Sequence, residues 1–215
     1  MSVIKHQDME VIQKVRDRAQ ELFTQGYNTD ISEYIRQGYK IFQKDIGSFV
    51  GYTLLFFLIS AVSNTIPFFG PVLVSGPLTA GYFIVARKIR KGQPYEFGTF
   101  FKGFDFFIPL LLYSLIGGIL TAAGFIALVI PGIYLAVAWM FSILFIVFGE
   151  MEFWDGMEFS RKLISKKWWN FFGLVILLLL INLAGAMALL VGLIFTVPIS
   201  CCAIYAAFED IVGTE

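Results

Sequence analysis

Three long stretches of the chain contain no charged residue, and each is about twice as long as one membrane crossing needs. They cover residues 46–86, 106–149 and 168–208, which is 41, 44 and 41 residues. About 20 apolar residues in a helix cross the ~30 Å hydrocarbon core of a bilayer. Each stretch therefore predicts a hairpin of two transmembrane helices. The predicted fold is all-α and polytopic, with six transmembrane helices as three parallel-repeat hairpins.

Prolines lie near the middle of each stretch, where the chain has to turn. They are Pro67, Pro131 and Pro198, each preceded by Ile or Val. Proline ends or kinks a helix because it lacks the backbone N–H that continues the hydrogen-bond ladder. The predicted spans are residues 47–65, 71–89, 106–128, 132–149, 170–190 and 193–210.

The charged residues lie only between and outside these stretches. All 16 Lys and Arg and all 16 Asp and Glu fall in residues 1–45, 87–105, 150–167 and 209–215. If each stretch is a hairpin, the basic segments share one side, which the positive-inside rule makes cytoplasmic. Both termini are then cytoplasmic, and the predicted location is the bacterial cytoplasmic (inner) membrane, multi-pass. A cleavable signal peptide is not expected, because apolar sequence starts only at Ile46.

Composition excludes a soluble domain. The chain is 58% hydrophobic and only 15% charged, whereas soluble domains contain about 25% charged residues. The predicted organisation has an N-terminal segment of amphipathic cytoplasmic helices (1–45), a transmembrane domain (46–210) and a short C-terminal tail (211–215). Within the transmembrane domain, residues 87–105 and 150–167 are predicted to be interfacial segments.

The N-terminal segment shows helical periodicity twice. Residues 1–25 place their apolar and charged side chains on opposite faces of a predicted helix. Asp30 followed by Glu33 is typical of a capping box that starts a second helix. Two interpretations stay open for these helices: they pack on the bundle or the bilayer surface, or they dock a partner protein.

A third amphipathic pattern precedes the second hairpin. Phe97, Phe100, Phe101 and Phe104 follow the i, i+3, i+4, i+7 spacing of one helical face. This spacing predicts a short helix in the membrane interface with its phenylalanine face toward the bilayer.

Two groups of residues are candidate binding positions. Asn182 lies near the centre of the fifth predicted span, where an amide hydrogen-bonds to a neighbouring helix or, alternatively, contacts a substrate. The basic residues at the cytoplasmic ends of the spans are candidate lipid-headgroup contacts, or topology determinants alone. These residues are Arg87, Lys88, Arg90, Lys91, Lys166 and Lys167.

Catalytic patterns are missing from the sequence. His6 is the single histidine and lies in the N-terminal segment, so neither a Ser-His-Asp set nor a Cys/His zinc site is possible near the membrane. Four acidic residues near the start of segment 150–167 favour a solvated helix start over a divalent-ion site. We predict no enzymatic activity, no metal or other cofactor and no nucleic-acid partner.

Several motifs together resemble a known protein family. They are ISEYIRQGYKIFQKDIGSFVGY (31–52), GPLTAGYFIVARKIRKGQPYEFGTFFKGF (76–104), IPGIYLAVAW (130–139) and GMEFSRKLISKKWWNFFGL (156–174). They resemble a family of uncharacterised bacterial and archaeal polytopic membrane proteins that carry a Gly-Pro-Leu-x-x-Gly motif. That family is related to the membrane domain fused to glycerophosphodiester phosphodiesterases. The resemblance implies six helices and no catalytic residue in this chain.

The expected function follows from these patterns. The leading hypothesis is a non-catalytic membrane protein that organises lipids or partner proteins at the cytoplasmic leaflet, with membrane lipids as partners and a protein partner or homo-oligomer as a further option. The alternative is a transporter or channel component for a neutral or lipidic solute. Carriers coupled to ions keep ionisable groups inside the membrane, and the charge-free stretches contain none. Asn64, Thr121, Ser142 and Asn182 would then supply polar contacts.

Overall fold

The structure is a computed structural model that describes residues 2–66, 69–188 and 191–213, with the backbone alone for residues 2–11 and 69. Helices make up 85% of it, and the described residues include no β-strand. The predicted all-α fold is therefore confirmed. The α-helices are α1 (Ser2–Gln25), α2 (Ile31–Lys44), α3 (Ile46–Ser63), α4 (Phe69–Arg90), α5 (Phe107–Leu112), α6 (Gly118–Ala127), α7 (Val129–Ala138), α8 (Ser142–Phe148), α9 (Phe153–Ser165), α10 (Trp168–Met187) and α11 (Leu193–Ile211).

Six helical segments in the described residues are long and apolar enough to cross a membrane, as predicted. They are Ile46–Ser63, Gly70–Arg90, Phe97–Ala127, Val129–Phe148, Trp168–Met187 and Leu193–Ile211. These are the dimensions of a multi-pass membrane protein. Pro67 lies outside the described residues. Pro131 lies within α7 rather than in the turn before it, whereas Pro198 lies within α11, in agreement with the predicted span 193–210.

Two of the six segments are interrupted helices. The third segment begins as a 3-10 helix (Phe97–Phe106), continues as α5, passes through a π-helical turn (Tyr113–Gly117) and ends as α6. The fourth consists of α7 and α8, separated by the turn 139–141. Non-helical backbone at membrane depth is tolerated where other protein groups satisfy it. The third and fourth candidate spans therefore differ from the other four.

Ser160 of α9 stabilises the interruption between α7 and α8. Its Oγ accepts a hydrogen bond from the backbone N–H of Phe141 at 3.1 Å and donates to the carbonyl oxygen of Ala138 at 2.7 Å. Ser160 is fully buried, so no solvent replaces these bonds. One side chain thus satisfies two backbone groups that the broken helix leaves free.

The 3-10 helix fits closely against α4 through two glycines. A Cβ atom on Gly81 would lie 2.0 Å from the carbonyl oxygen of Phe100, and one on Gly103 would lie 2.0 Å from that of Pro77. Glycine is required at both positions, because no real Cβ comes so near to a backbone oxygen. The Gly-Pro-Leu-x-x-Gly motif (76–81) and the sequence Phe-Phe-Lys-Gly-Phe (100–104) are therefore the two sides of one helix–helix contact.

An aromatic cluster fills the space beside this contact. The rings of Tyr52 and Phe100 stack with centroids 4.3 Å apart, and the Tyr52 hydroxyl donates to the carbonyl oxygen of Leu78 at 2.7 Å. Phe100 is fully buried, whereas Phe97 and Phe104 remain partly exposed. The predicted short helix is therefore present as a 3-10 helix. The prediction that its whole phenylalanine face lies toward the bilayer is wrong, because Phe100 packs into the protein against Tyr52.

The N-terminal helices pack on the rest of the chain. The Asp30 side chain accepts from the Glu33 backbone N–H at 3.0 Å, which is the predicted cap of α2. α2 packs most extensively against α11, where a Cβ on Gly38 would meet backbone atoms of Ala203 at 2.5 and 2.6 Å. Val15, Ala19 and Leu22 of α1 are buried, and α1 contacts α8 and α9. Of the two interpretations of these helices, packing on the bundle accounts for the buried faces.

α9 lies alongside the fourth candidate span rather than only beyond its end. Gly156 of α9 faces Ile146 of α8, and Ser160 hydrogen-bonds to the backbone of Ala138 and Phe141. The Ser165 hydroxyl lies 2.7 Å from that of Tyr134 in α7. The two segments are thus antiparallel over residues 134–146. The charged face of α9, which includes Arg161, lies next to an apolar segment of the membrane domain.

Candidate functional site

The basic cluster at the end of α4 makes contacts within the protein. The Arg87 guanidinium lies 4.9 Å from the centroid of the Phe148 ring, and Arg90 Nη1 donates to Gln37 Oε1 at 2.9 Å. Arg87 and Lys91 make further interactions as well, and Lys88 is half-buried. Of these predicted headgroup residues, Arg87 therefore also contacts α8 and Arg90 also contacts α2.

Lys166 and Lys167 have a different environment. Both are exposed, and in the described parts of the chain neither forms an ion pair with a carboxylate. They immediately precede α10, whose first turn presents backbone N–H groups without helical acceptors. An anion there would interact with two ammonium groups and with the positive end of the helix dipole.

Aromatic side chains lie next to these lysines. Trp169 is 76% exposed. The Trp168 ring stacks on Phe172 with centroids 5.0 Å apart. Tryptophan is enriched at the membrane–water interface because its ring is apolar and its N–H is polar. We define Lys166, Lys167 and Trp169 as the α10 basic–aromatic site, which has the composition of a headgroup contact.

Asn182 joins α10 to α11. Its Nδ2 donates to the carbonyl oxygen of Leu178 and to Ser200 Oγ, both at 2.8 Å. Within the described residues, Asn182 Oδ1 and Thr196 Oγ1 are buried polar atoms without a hydrogen-bond partner. The interhelical hydrogen bond expected of an intramembrane amide is therefore present, and the amide oxygen stays available for another donor.

The other polar residues proposed for a solute path lie apart. Asn64 Nδ2 donates to the carbonyl oxygen of Ser60 at the end of α3. Ser142 is fully buried at the start of α8. Thr121 lines a cavity in the membrane domain. The structure therefore does not bring Asn64, Thr121, Ser142 and Asn182 together.

That cavity has a volume of about 490 Å³ and lies among α4, the π-helical turn, α6 and the end of α7. The polar side chains in its wall are Ser75, Tyr113, Ser114, Thr121 and Trp139. Sequence reasoning missed this arrangement, apart from Thr121. The available signal was a set of hydroxyl residues in adjacent apolar segments.

The acidic residues at the start of segment 150–167 do not assemble a metal site. Among the described residues, no group of three or more His, Cys, Asp or Glu side chains could hold a metal ion. Glu158 instead pairs with Arg161 at 2.7 Å and with Lys162 at 3.5 Å. Hydrogen bonding to Arg161 lowers the pKa of Glu158 below its ordinary value.

Glu150 marks the strained point of this region. It is a non-glycine residue with a positive φ of 43°, at the point where the chain leaves α8. Arg16 of α1 donates to the carbonyl oxygens of Gly149 at 2.8 Å and of Glu150 at 2.7 Å. The guanidinium thus satisfies carbonyl groups at the negative end of α8 and fixes α1 to the bundle.

No protein-family model, curated protein or solved structure matches the chain.

Proposed function

We propose that the protein is a non-catalytic integral protein of the bacterial inner membrane that organises lipids or partner proteins at the cytoplasmic leaflet. In this proposal three hairpins of the same orientation cross the membrane and both termini are cytoplasmic. The distribution of all 16 Lys and Arg outside the charge-free stretches supports this orientation. The resemblance to a family of membrane domains supports it independently of charge.

The observation that carries the proposal is the α10 basic–aromatic site. Lys166 and Lys167 are exposed cations at a helix N-terminus, beside the exposed Trp169. Basic residues near an anionic membrane surface each contribute about 1 kcal/mol of binding free energy. Two of them, together with the helix dipole, favour an anionic headgroup such as that of phosphatidylglycerol.

The experiment measures lipid contact through tryptophan fluorescence. The purified full-length chain is titrated in detergent micelles with brominated phosphatidylglycerol, which quenches a tryptophan that it touches. Lys166→Gln combined with Lys167→Gln is expected to raise the half-quenching concentration about 10- to 30-fold, as the loss of about 2 kcal/mol requires. Trp169→Phe identifies the quenched ring.

Lys162→Gln is the matched control. Lys162 is a nearby lysine of α9, but its Nζ lies 3.5 Å from Glu158 Oε1, so its charge is already compensated. It should leave quenching unchanged. Equal quenching of the wild type and the double variant, or equal quenching by brominated phosphatidylcholine, would contradict the headgroup site.

A second candidate function is a transporter or channel component for a neutral or lipidic solute. The buried, unpartnered Asn182 Oδ1 among the described residues favours it, because a solute donor could satisfy that oxygen. Asn182→Leu would then abolish flux of such a solute and leave the protein folded. Retained flux in a folded Asn182→Leu protein would exclude a role of this amide in transport.

A further inference from the structure

The cavity of about 490 Å³ lies where both interrupted segments of the second hairpin meet α4. Its wall includes Gly117 of the π-helical turn, Ala136 of α7 and Trp139 in the turn after α7. π-helical turns occur frequently at functional sites. Discontinuous membrane helices form substrate sites in many transporters. The broken backbone and the cavity are thus at the same place in the fold.

Close packing brings hydroxyl groups to this place. A Cβ on Gly76 would lie 2.9 Å from Ser114 Oγ and 3.1 Å from the carbonyl oxygen of Leu110. Glycine therefore lets α4 approach the π-helical turn. Ser75 of α4 and Ser114 of the turn consequently line the same cavity, together with Thr121 of α6.

These hydroxyls have unused hydrogen-bonding capacity. Serine and threonine in a helix commonly donate to the carbonyl four residues earlier, as Thr53 does to Phe49 at 2.7 Å. Across the described ranges, Ser75, Ser114 and Thr121 form no such bond and no side-chain bond. Polar groups without a partner in an apolar medium cost free energy, so an occupant of the cavity that bonds to them would be stabilised.

Trp139 adds an indole donor to the wall. Its exposed fraction is only 8%, and in the part of the chain that the structure describes its N–H has no acceptor. The wall therefore offers a donor and several groups that both donate and accept. This set matches an ester carbonyl, which only accepts, and a hydroxyl, which does both.

The cavity contains no charge. None of its lining residues is Asp, Glu, Lys, Arg or His, so an ionised ligand would lose its hydration without gaining a counter-ion. Apolar side chains on the same elements are exposed around it, among them Ile119 at 60% and Ile126 at 87%. A ligand that enters from the lipid phase can thus reach the hydroxyls directly.

We propose that this cavity binds the headgroup of a neutral lipid with a free hydroxyl and ester carbonyls, the chemistry of a diacylglycerol. The site is open on one side and has a volume of about 490 Å³. That is room for the glycerol, both ester linkages and the first acyl carbons, while the rest of the chains extends along the apolar surface. The site rests on the membrane placement proposed above, but it does not depend on the α10 basic–aromatic site.

The test uses a photoactivatable dioleoylglycerol with a diazirine close to its ester group. The full-length protein is reconstituted in dioleoylphosphatidylcholine vesicles that contain a small fraction of this probe and is then irradiated. Cross-linked peptides are expected from the cavity wall, within residues 113–139. A diazirine dioleoylphosphatidylcholine probe of the same design should give at most a fifth of that labelling there.

Two variants with a matched control test the wall itself. Combined Ser114→Ala and Thr121→Val should lower labelling about 10- to 30-fold, because two lost hydrogen bonds of about 1 kcal/mol each remove about 2 kcal/mol of binding free energy. Gly118→Leu should abolish it, since a Cβ there meets no atom within 4 Å and the side chain has open space at a lining position. Thr79→Val, which removes a hydroxyl of α4 outside the lining, should leave labelling unchanged.

The outcomes separate this site from the headgroup site. Equal labelling of all variants, or equal labelling by both probes, would overturn the neutral-lipid site. If the Gly118→Leu protein does not fold, the Ser114→Ala, Thr121→Val pair decides alone. Lys166→Gln with Lys167→Gln should leave dioleoylglycerol labelling intact, so that either proposal can fail while the other holds.

Discussion

The close contact between α4 and the 3-10 helix predicts that one methyl group added at Gly103 destabilises the fold. A Cβ on Gly103 would lie 2.0 Å from the carbonyl oxygen of Pro77 and 3.0 Å from Ala80 Cβ. The obstructing atom belongs to the backbone, so no side-chain rotation relieves the overlap. In Gly103→Ala the two helices have to separate by more than 1 Å to restore an ordinary contact.

The loss of stability comes from the packing that this separation loosens around the 3-10 helix. Phe100, which is fully buried in the aromatic cluster, lies one turn away on the same 3-10 helix. Overpacking a close-packed core costs about 1–3 kcal/mol, and more when backbone has to move. We expect Gly103→Ala to cost about 3 kcal/mol, which lowers the Tm by about 6–12 °C for a chain of this size.

Gly98→Ala is the matched control, because it makes the same substitution in the same 3-10 helix. A Cβ on Gly98 meets no atom within 4 Å, so its Tm should stay within about 2 °C of the wild type. The assay is thermal unfolding in dodecyl maltoside, followed by tryptophan fluorescence. Equal Tm values for Gly103→Ala and Gly98→Ala would refute the close contact between the two motifs.

Three further predictions concern the region around α8 and α9. Ser160→Ala should cost about 2–3 kcal/mol in the same assay, because it leaves two buried backbone groups without partners. Glu150→Gly should raise stability by about 1 kcal/mol, because glycine adopts the positive φ without strain. Because the pKa of Glu158 is lower in the folded protein, its carboxylate stabilises the fold at pH values above the unfolded-state pKa of about 4.3. This stabilisation is lost as the pH falls through the folded-state pKa. The free energy of unfolding of Glu158→Gln should therefore fall less on acidification than that of the wild type.

Sequence reasoning found the features that depend on local chemistry. Charge-free stretches of 41–44 residues predicted six apolar helical segments, because hydrocarbon excludes charges regardless of how the helices pack. Asp30 and Glu33 predicted the start of α2, because an N-cap acts within four residues. Both outcomes require no knowledge of the tertiary contacts.

It failed where the outcome depends on a distant partner. The interruption at residues 139–141 contains neither glycine nor proline, and Ser160 supplies the hydrogen bonds that stabilise it. The phenylalanine spacing matched an α-helix, but the glycine contacts with α4 accompany a 3-10 helix instead. In an apolar segment both faces are hydrophobic, so periodicity does not distinguish residues that face lipid from those that face protein.

The same dependence on distant contacts explains why the cavity was not predicted from the sequence. Ser75, Ser114 and Thr121 are separate hydroxyls in three helical elements, and the packing of α4 against the π-helical turn and α6 places them around one cavity. Lys166 and Lys167 were predicted from the sequence as candidate headgroup contacts, because a basic pair before an apolar helix is a local signal. The structure distinguishes them from Arg87 and Arg90, which contact Phe148 and Gln37.

Native mass spectrometry of the protein, extracted gently from its own membrane, measures whether the chain holds anionic lipid. We expect retained anionic phospholipid on the wild-type chain and about 10- to 30-fold weaker retention after Lys166→Gln with Lys167→Gln. Lys162→Gln should retain lipid like the wild type. A bare chain, or a chain that carries a small neutral molecule and no anionic lipid, would contradict the proposal of a lipid-organising protein.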